Sequence, residues 1–395
     1  MTANPIPKGK IFSLSLAHMF NDWYMNFLQT LLPFIVALGT GIGRAALLIS
    51  AFTATASILQ PVLGYFVDRK NQRWLVHAGT VWMAVLLSLV GTTHNYHLLL
   101  LLSTLSGLGT AAFHPQAAAM ISSVSGSRKG LCQSIFVAGG NVGWALTPLM
   151  VIPVVKNYGL SATPVFAVPG ILVALLLWFT APETSAAPTR KSSAPLLTIL
   201  RASWLELTKI VLIVACRSLT YFGLISFLPL YLQMRNVSIV ASSHLLFIML
   251  FSGAIGGVLG GYLSDQMGRK SVIAGSLILS TPCFHLFLQG SGFTMYLYLI
   301  LAGAFLLASF SVTIVLAQEI ISENAATASG LTLGFGIGIG GLGVGLVGIL
   351  IEHMGLAYGI GLLLWLPLAA GLFALTLTKK NVVAALEPTG KEMQI

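Results

Sequence analysis

A stripe of polar residues lies inside the first long apolar segment of the sequence. His18, Asp22, Asn26 and Gln29 follow one another at intervals of four, four and three residues, which places them on one face of a helix. An aspartate in mid-membrane costs at least about 2.5–3.5 kcal/mol, so such residues usually mark ion or substrate pathways. We predict that His18 and Asp22 take part in proton coupling and that Asn21, Asn26 and Gln29 bind substrate. The alternative is a structural aspartate, hydrogen-bonded within the bundle.

Polar residues also occupy later apolar segments. Arg217 lies in the seventh, and a guanidinium can grip a carboxylate or phosphonate with two hydrogen bonds. We predict that Arg217, Tyr221 one turn later and Asn141 near mid-depth of the fifth segment bind substrate. Asp22 and Arg217 are expected to pair when the cavity closes, either as part of transport or as a static ion pair. His114, before a proline in the fourth segment, is predicted to relay protons, although a structural hydrogen bond remains possible.

The composition places these residues in a membrane protein. Of 395 residues, 56% are hydrophobic and 8% are charged, whereas about a quarter of the residues in soluble domains carry charge. Apolar segments of about 18–25 residues predict transmembrane helices. Twelve such segments begin near residues 11, 45, 75, 98, 131, 164, 210, 245, 271, 295, 328 and 357. The predicted fold is therefore an all-α integral membrane protein with twelve transmembrane helices.

The basic residues predict the orientation of these helices. With the N-terminus inside, sixteen Lys and Arg residues fall in cytoplasmic segments, while the opposite side has only Arg44, Lys156 and Arg235. Cytoplasmic loops of membrane proteins carry such an excess. We predict a multi-pass protein of a bacterial-type inner (plasma) membrane with both termini cytoplasmic. The net charge of +10 then reflects topology, and we expect no nucleic-acid partner.

The two halves of the chain repeat each other. GYFVDRKNQR at residues 64–73 recurs as GYLSDQMGRK at 261–270, and glycines 130, 140 and 143 recur at 330, 340 and 343. A segment rich in Pro, Ser, Ala and charge separates the halves. We predict six-helix bundles at 1–181 and 207–395, joined by a cytoplasmic linker at 182–206. Such duplication is typical of transporters that bind substrate between two bundles and rock about that site.

The repeated loop resembles a motif of major facilitator superfamily transporters. G-x-x-x-D-x-x-G-R-K is complete in the second copy, whereas the first has Asn71 and Gln72 where Gly and Arg are usual. This resemblance implies two pseudo-symmetric six-helix bundles. Carboxylates at helix ends can accept hydrogen bonds from nearby Arg and Lys residues and so stabilise a closed gate. The predicted gating residues are Asp68, Arg69, Arg73, Asp265, Arg269, Lys270 and Glu319.

Further motifs resemble the fosmidomycin-resistance family of drug exporters. They are SLAHMFNDWYMNFLQTLLPF in the first span, FHPQ at 113–116, SIFVAGGNVGWALTPL in the fifth span and AQE at 317–319. This resemblance implies alternating access with efflux of a small drug-like or anionic compound by proton antiport. The family often has Glu where this chain has Gln116, which cannot carry a proton. Proton-driven uptake of a small organic anion is the alternative.

The sequence lacks the usual motifs of disulfide-bonded, metal-binding, catalytic and nucleotide-binding proteins. The three cysteines are far apart, and neither HExxH nor GxSxG occurs. His18 and Asp22 have a spacing that suits a metal, but the sequence shows no third ligand. The GxGxxG of Gly336, Gly338 and Gly341 lies in an apolar run with no preceding strand, so we assign it to helix packing. We expect no enzyme activity, catalytic residue, metal or cofactor, with an intramembrane enzyme as a remote alternative. The expected partners of the monomer are protons, a small-molecule substrate and the lipid bilayer.

Overall fold

Helices form almost all of the described structure, a computed structural model covering residues 7–69, 72–125, 129–182, 196–321, 328 and 331–378. A 3-10 turn at Leu160–Phe166 and a π-helical turn at Leu331–Ile337 supplement the α-helices. The α-helices are α1 (Lys8–Met25), α2 (Phe27–Ala37), α3 (Ile42–Arg69), α4 (Trp74–Leu89), α5 (Tyr96–Val124), α6 (Lys129–Tyr158), α7 (Ala167–Thr180), α8 (Leu196–Met234), α9 (Ile239–Met267), α10 (Arg269–Gln289), α11 (Gly292–Ile320), α12 (Gly338–Met354) and α13 (Leu356–Ala374).

The first span consists of α1 and α2, which meet at Asn26. This residue has φ −87° and ψ 0°, and its side-chain nitrogen donates to the Trp144 carbonyl of α6 at 2.8 Å. Asparagine competes with the helical backbone for hydrogen bonds, which favours a break at this position. Eleven further helical segments of the described chain are long and apolar enough to span a membrane. Together with α1–α2 they match the predicted twelve spans, and the predicted fold class is confirmed.

Helices α3 and α12 join the two halves along a contact that we call the α3–α12 seam. Gly338, Gly341 and Gly345 of α12 face small residues of α3, and this allows the two backbones to approach closely. The Ser50 hydroxyl donates to the Leu342 carbonyl at 2.9 Å and accepts from the Gly345 N–H at 2.9 Å. The glycine-rich run that formally contains GxGxxG therefore packs helices together.

A hydrogen bond between the halves closes one end of the seam. The Gly43 N–H, at the start of α3, donates to the exposed carboxylate of Glu352 at 3.2 Å. The end of the bundle that carries this contact is called the Glu352 end. The opposite end, which carries the connection between α9 and α10, is called the basic end. The halves are thus directly bonded to each other at the Glu352 end.

The connection between α9 and α10 consists of a single residue, Gly268, with φ 87°. This conformation is strained for any residue with a side chain, which explains the glycine in the repeated motif. Arg269 then begins α10, so its guanidinium lies beside the end of α9. The turn therefore positions the basic residues of the motif.

Helix α8 begins at Leu196, within the predicted linker. The Lys209 ammonium contacts the Glu206 carboxylate at 2.7 Å and donates to the Thr376 carbonyl at 3.0 Å. Glu206 also accepts from the Thr378 N–H at 3.0 Å. These bonds fasten the first turns of α8 to the chain that follows α13. Linker residues 183–195 lie outside the described structure, and the domain boundaries stay a prediction.

Candidate functional site

Asp22 lies between two histidines from different helices. Its Oδ2 is 3.4 Å from His18 Nε2 on α1, and its Oδ1 is 3.4 Å from His114 Nε2 on α5. The two imidazole rings meet edge to face at 5.2 Å. The side chains are only 9% (His18), 12% (Asp22) and 19% (His114) accessible. The structure thus brings together the three residues predicted for proton coupling, which we call the proton cluster.

The orientation of His18 is fixed by its surroundings. Its Nδ1 lies 2.7 Å from the Phe136 carbonyl, and its ring stacks on the Phe136 ring at 4.0 Å. Because a carbonyl can only accept, Nδ1 carries a hydrogen and Nε2 faces Asp22. A neutral imidazole would present a lone pair there, so the contact with the carboxylate is favourable when one additional proton lies on either group. This geometry is compatible with the proton-coupling role predicted for the two residues, which stays a prediction.

Glycines of α6 allow the proton cluster to form. A Cβ at Gly140 would lie 2.7 Å from His18 Cε1 and would collide with the Asp22 carboxylate. A Cβ at Gly139 would instead lie 2.6 Å from the Ser15 carbonyl oxygen. Both glycines therefore permit α6 to pack closely on α1, but only Gly140 makes room for the Asp22 side chain itself.

The proton cluster also contains a third possible metal ligand, His114, which the sequence spacing did not reveal. One ligand atom each from His18, Asp22 and His114 lies within 4.8 Å of the others, a composition that can also suit a metal ion. His114 is 92 residues from Asp22 along the chain, so only the packing of α5 on α1 shows this proximity. His114 Nε2 additionally lies 3.4 Å from the Met25 sulfur.

Arg217 lies on α8, in the other half, and is 2% exposed. Its guanidinium carbon lies 4.7 Å from the centre of the Phe310 ring, and such a cation–π contact stabilises a buried charge only in part. Its Nη1 has no hydrogen-bond partner within the described structure. No ion pair joins Arg217 to Asp22 among the described residues in this conformation. Arg217 can therefore still donate a hydrogen bond to an anion through Nη1.

Tyr221 lies where the two halves meet. It is one turn after Arg217 on α8, and its ring centre is 5.7 Å from that of Trp144 on α6. The neighbouring Thr220 donates to the Leu363 carbonyl of α13 at 3.0 Å. Thr220 therefore fastens α8 within its own half, whereas Tyr221 lies between the halves.

The remaining predicted substrate residues differ in their surroundings. Asn21 is fully buried, and neither polar atom of its side chain has a hydrogen-bond partner in the described part of the chain. Gln29 is 1% exposed, and its Oε1 is likewise unpartnered there. Asn141 is partly exposed, whereas Asn26 already donates to α6. The binding roles of all four residues stay predictions.

Three of the predicted gating residues, Asp265, Arg269 and Glu319, form an ion-pair network at the basic end. Arg269 contacts Asp265 at 2.5 Å and Glu319 of α11 at 3.1 Å, and it also donates to the Ser264 hydroxyl at 2.6 Å. Lys270 is exposed. In the first half, Arg73 donates to the Trp178 carbonyl of α7 at 2.9 Å. The side chains of Asp68 and Arg69 lie outside the described structure.

Two contributors escaped the sequence reasoning. Trp144 on α6 packs against Tyr221 and Phe222 of α8, at distances of 5.7 Å and 5.6 Å between ring centres, and Phe310 lies over the guanidinium of Arg217. Trp144 is four residues after Gly140 and so lies on the same face of α6, a spacing that could have indicated it. Phe310 has no comparable signal, because phenylalanine is common throughout such spans.

Comparison with known proteins agrees with this architecture. The model of the Major Facilitator Superfamily matches residues 12–332. The fosmidomycin resistance protein of Escherichia coli is 29% identical over 91% of this chain and 90% of its own length. An uncharacterised MFS-type transporter of Bacillus subtilis is 30% identical over 90% of this chain and 89% of its own. A probable 4-methylmuconolactone transporter of Cupriavidus pinatubonensis is 24% identical over 89% of this chain and 83% of its own.

Solved structures show the same fold. A bacterial homologue of the human lysosomal transporter Spinster, inward-facing and unoccupied, superimposes with a TM-score of 0.74 at 17% identity, covering 97% of this chain and 98% of its own. A variant of the nucleoside transporter NupG gives 0.75 at 15% identity, covering 94% of this chain and 99% of its own. The chain therefore belongs to the Major Facilitator Superfamily of membrane transporters.

Proposed function

We propose that this protein is a proton-coupled antiporter that exports a small anionic or drug-like compound. The observation that carries the proposal is the pairing of two sites in opposite halves. One is the proton cluster, and the other is Arg217 with an unpartnered Nη1. The Tyr221 ring, one turn after Arg217, lies 5.7 Å from the ring of Trp144 on α6, so the two halves are in contact near Arg217.

The transport cycle follows from this arrangement. A proton from the outer side neutralises Asp22, and the anionic substrate leaves Arg217. The carrier then turns inward, releases the proton to the cytoplasm and binds a new substrate at Arg217. Because proton and substrate occupy the carrier alternately, they move in opposite directions. Asp22, His18 and His114 exchange the proton, and the polar residues near Arg217 orient the substrate.

The orientation predicted from the basic residues also assigns a function to each end of the bundle. The basic end, with both termini, lies in the cytoplasm of an inner-membrane protein, where Arg269 bridges α9, α10 and α11 as a gating contact. The Glu352 end lies outside, and its bonded seam keeps that side closed while the substrate site faces inward. The proposed transport unit is a monomer, since each half contributes one of the two sites.

The names of two relatives bear on this proposal. The name of the Escherichia coli relative refers to drug resistance, which favours export. The Cupriavidus relative is named as a probable transporter of 4-methylmuconolactone, an organic compound, and its name gives no direction. Proton-driven uptake of a small organic anion is the second candidate. Both use alternating access, and they differ in whether proton and substrate bind in turn or together.

Replacement of Asp22 by asparagine tests the proposal. In proteoliposomes, Asp22→Asn is expected to abolish substrate accumulation driven by a pH gradient while sparing exchange of labelled for unlabelled substrate. Glu206→Gln is the matched control, because it neutralises a carboxyl that contacts Lys209 away from the site. Loss of both transport modes in Asp22→Asn alone would show a binding or structural role for Asp22 and contradict the coupling mechanism.

A further inference from the structure

The proton cluster contains enough ligand atoms for a metal ion. His18 Nε2 on α1 and His114 Nε2 on α5 each lie 3.4 Å from a carboxylate oxygen of Asp22. One ligand atom from each side chain lies within 4.8 Å of the other two. Within the described part of the chain, no other group of three or more His, Cys, Asp or Glu side chains converges in this way. The cluster therefore has the composition of a small metal site.

The spacing of these atoms suits a first-row transition metal. Zinc binds histidine nitrogen and carboxylate oxygen at about 2.0–2.2 Å, so two ligands of a tetrahedral zinc ion lie about 3.3–3.6 Å apart. Both contacts between a histidine and Asp22 measure 3.4 Å. Imidazole nitrogen favours zinc, copper, nickel and iron, whereas calcium and magnesium prefer oxygen ligands. The two histidines thus select a transition metal.

His18 is held as a metal ligand requires. Its Nδ1 donates to the Phe136 carbonyl at 2.7 Å, which leaves the lone pair of Nε2 on the side of Asp22. Metal-binding histidines usually make such a hydrogen bond through the second ring nitrogen, because it fixes the tautomer and the ring orientation. The Phe136 ring, stacked at 4.0 Å, covers the same imidazole with an apolar surface. His18 is therefore preorganised to bind a cation through Nε2.

The Asp22 carboxylate lacks a permanent positive partner. No Lys or Arg lies within ion-pair distance of it among the residues that the structure describes, and its buried Oδ1 has no hydrogen-bond partner there. A buried carboxylate without such compensation costs free energy, and a cation bound at the cluster would remove part of that cost. The His114 side chain is 19% accessible, so the cluster is not sealed against a small ion.

We propose that His18, Asp22 and His114 form a binding site for a divalent transition-metal ion, for which Zn²⁺ is the probe. The three side chains bind the ion between α1 and α5, and water completes its coordination. A metal ion needs the same lone pairs as a proton, so the two exclude each other at this cluster. Metal binding itself does not depend on the proposed antiport, because all three ligands belong to one half and no substrate takes part.

Calorimetric titration of the purified protein with Zn²⁺, after removal of any histidine tag, tests the site. We expect a stoichiometry near one in the unmodified protein. His18→Gln and His114→Gln should each raise the Kd of Zn²⁺ at least about tenfold, because even the loss of an outer hydrogen-bond partner of a ligand costs about 10- to 100-fold.

His285→Gln is the matched control. His285 lies in α10, and its Nδ1 is 2.9 Å from the Thr281 carbonyl, much as Nδ1 of His18 is bound to a backbone carbonyl. It belongs to no group of converging ligands in the described structure. The Kd of Zn²⁺ in His285→Gln should therefore match that of the unmodified protein.

X-ray absorption spectroscopy of the zinc-loaded unmodified protein gives a second measurement, which decides the question if a histidine variant fails to fold. The spectrum should show nitrogen and oxygen neighbours at about 2.0–2.2 Å, two of them from imidazoles, and no sulfur at about 2.3 Å. A sulfur neighbour, or a spectrum without imidazole, would place the ion elsewhere and overturn the inference.

Zn²⁺ binding that is absent from the unmodified protein, or equal in all four proteins, would overturn the inference as well. A failure of the antiport proposal is a separate result. It would appear as substrate transport without proton movement, and it would leave the Zn²⁺ titration unchanged.

Discussion

Replacing Arg217 by lysine separates charge from geometry at the proposed anion site. Lysine keeps the positive charge but lacks the planar fork with which a guanidinium binds two oxygens of one anion. In the structure Nη1 has no hydrogen-bond partner among the described residues, and the group is 2% exposed. A bound anion would therefore meet a desolvated donor, whose hydrogen bonds are stronger than those at a surface.

The expected loss follows from one missing hydrogen bond. A hydrogen bond to a charged group contributes about 1.5–3 kcal/mol, so Arg217→Lys should raise the Kd of an anionic substrate about 10- to 150-fold. Arg217→Met removes the charge as well and should weaken binding further. A buried charge without an ion-pair partner costs free energy, and methionine fills a similar space without that charge, so Arg217→Met should remain folded.

The assay is equilibrium binding of a labelled anionic compound to purified protein at fixed pH, paired with its uncharged analogue. The anion should lose affinity in both variants, while the uncharged analogue should bind all three proteins with similar affinity. An unchanged Kd of the anion in Arg217→Lys, or an equal loss for the uncharged analogue, would refute a forked contact at this residue.

Three further substitutions test other parts of the account. Gly140→Ala should displace the His18–Asp22 pair and lower gradient-driven transport by up to about 100-fold, the effect of a 1 Å misplacement. Gly139→Ala, whose added methyl group meets Ser15 and not the proton cluster, should lower stability while leaving transport per folded protein unchanged. Arg269→Ala should lower the Tm in a thermal-unfolding assay more than Glu319→Gln does, because it breaks both ion pairs of the network, and equal Tm values would contradict this. Gly345→Leu should separate the ends of α3 and α12 in spin-label distance measurements, and an unchanged distance distribution would argue against the α3–α12 seam as the closed gate.

Much of the fold could be predicted from the sequence, because membrane spans depend on composition. Apolar length, alternating basic loops and the repeated loop motif predicted twelve spans in two halves, and the helical fold agrees. The break at Asn26 was not predicted, since it depends on a hydrogen bond to α6, on a distant part of the chain. Helix α8 extends back to Leu196, into the segment predicted as a linker from its polar composition, and Glu206 in this segment contacts Lys209 and accepts from the Thr378 N–H.

For the candidate site, the sequence could predict only the proximity of residues that lie on the same helix. Helical spacing placed His18 and Asp22 on one face, and the structure shows them in contact. The approach of His114 and Trp144 depends on the packing of α5 and α6 against α1, which spacing within one helix cannot show. The pairing of Asp22 with Arg217 was predicted for the closed cavity, and sequence does not show in which direction a side chain points. In this conformation Arg217 lies over Phe310 instead.

The most direct test of the antiport mechanism is the direction of proton movement when substrate is transported. Proteoliposomes would carry a pH-sensitive dye inside and receive labelled candidate compounds, both anionic and lipophilic, one at a time. Antiport predicts that substrate entering the vesicle drives protons out, and that Asp22→Asn removes the proton signal while exchange of substrate continues. Protons that enter together with the substrate would establish symport and contradict the proposed export mechanism.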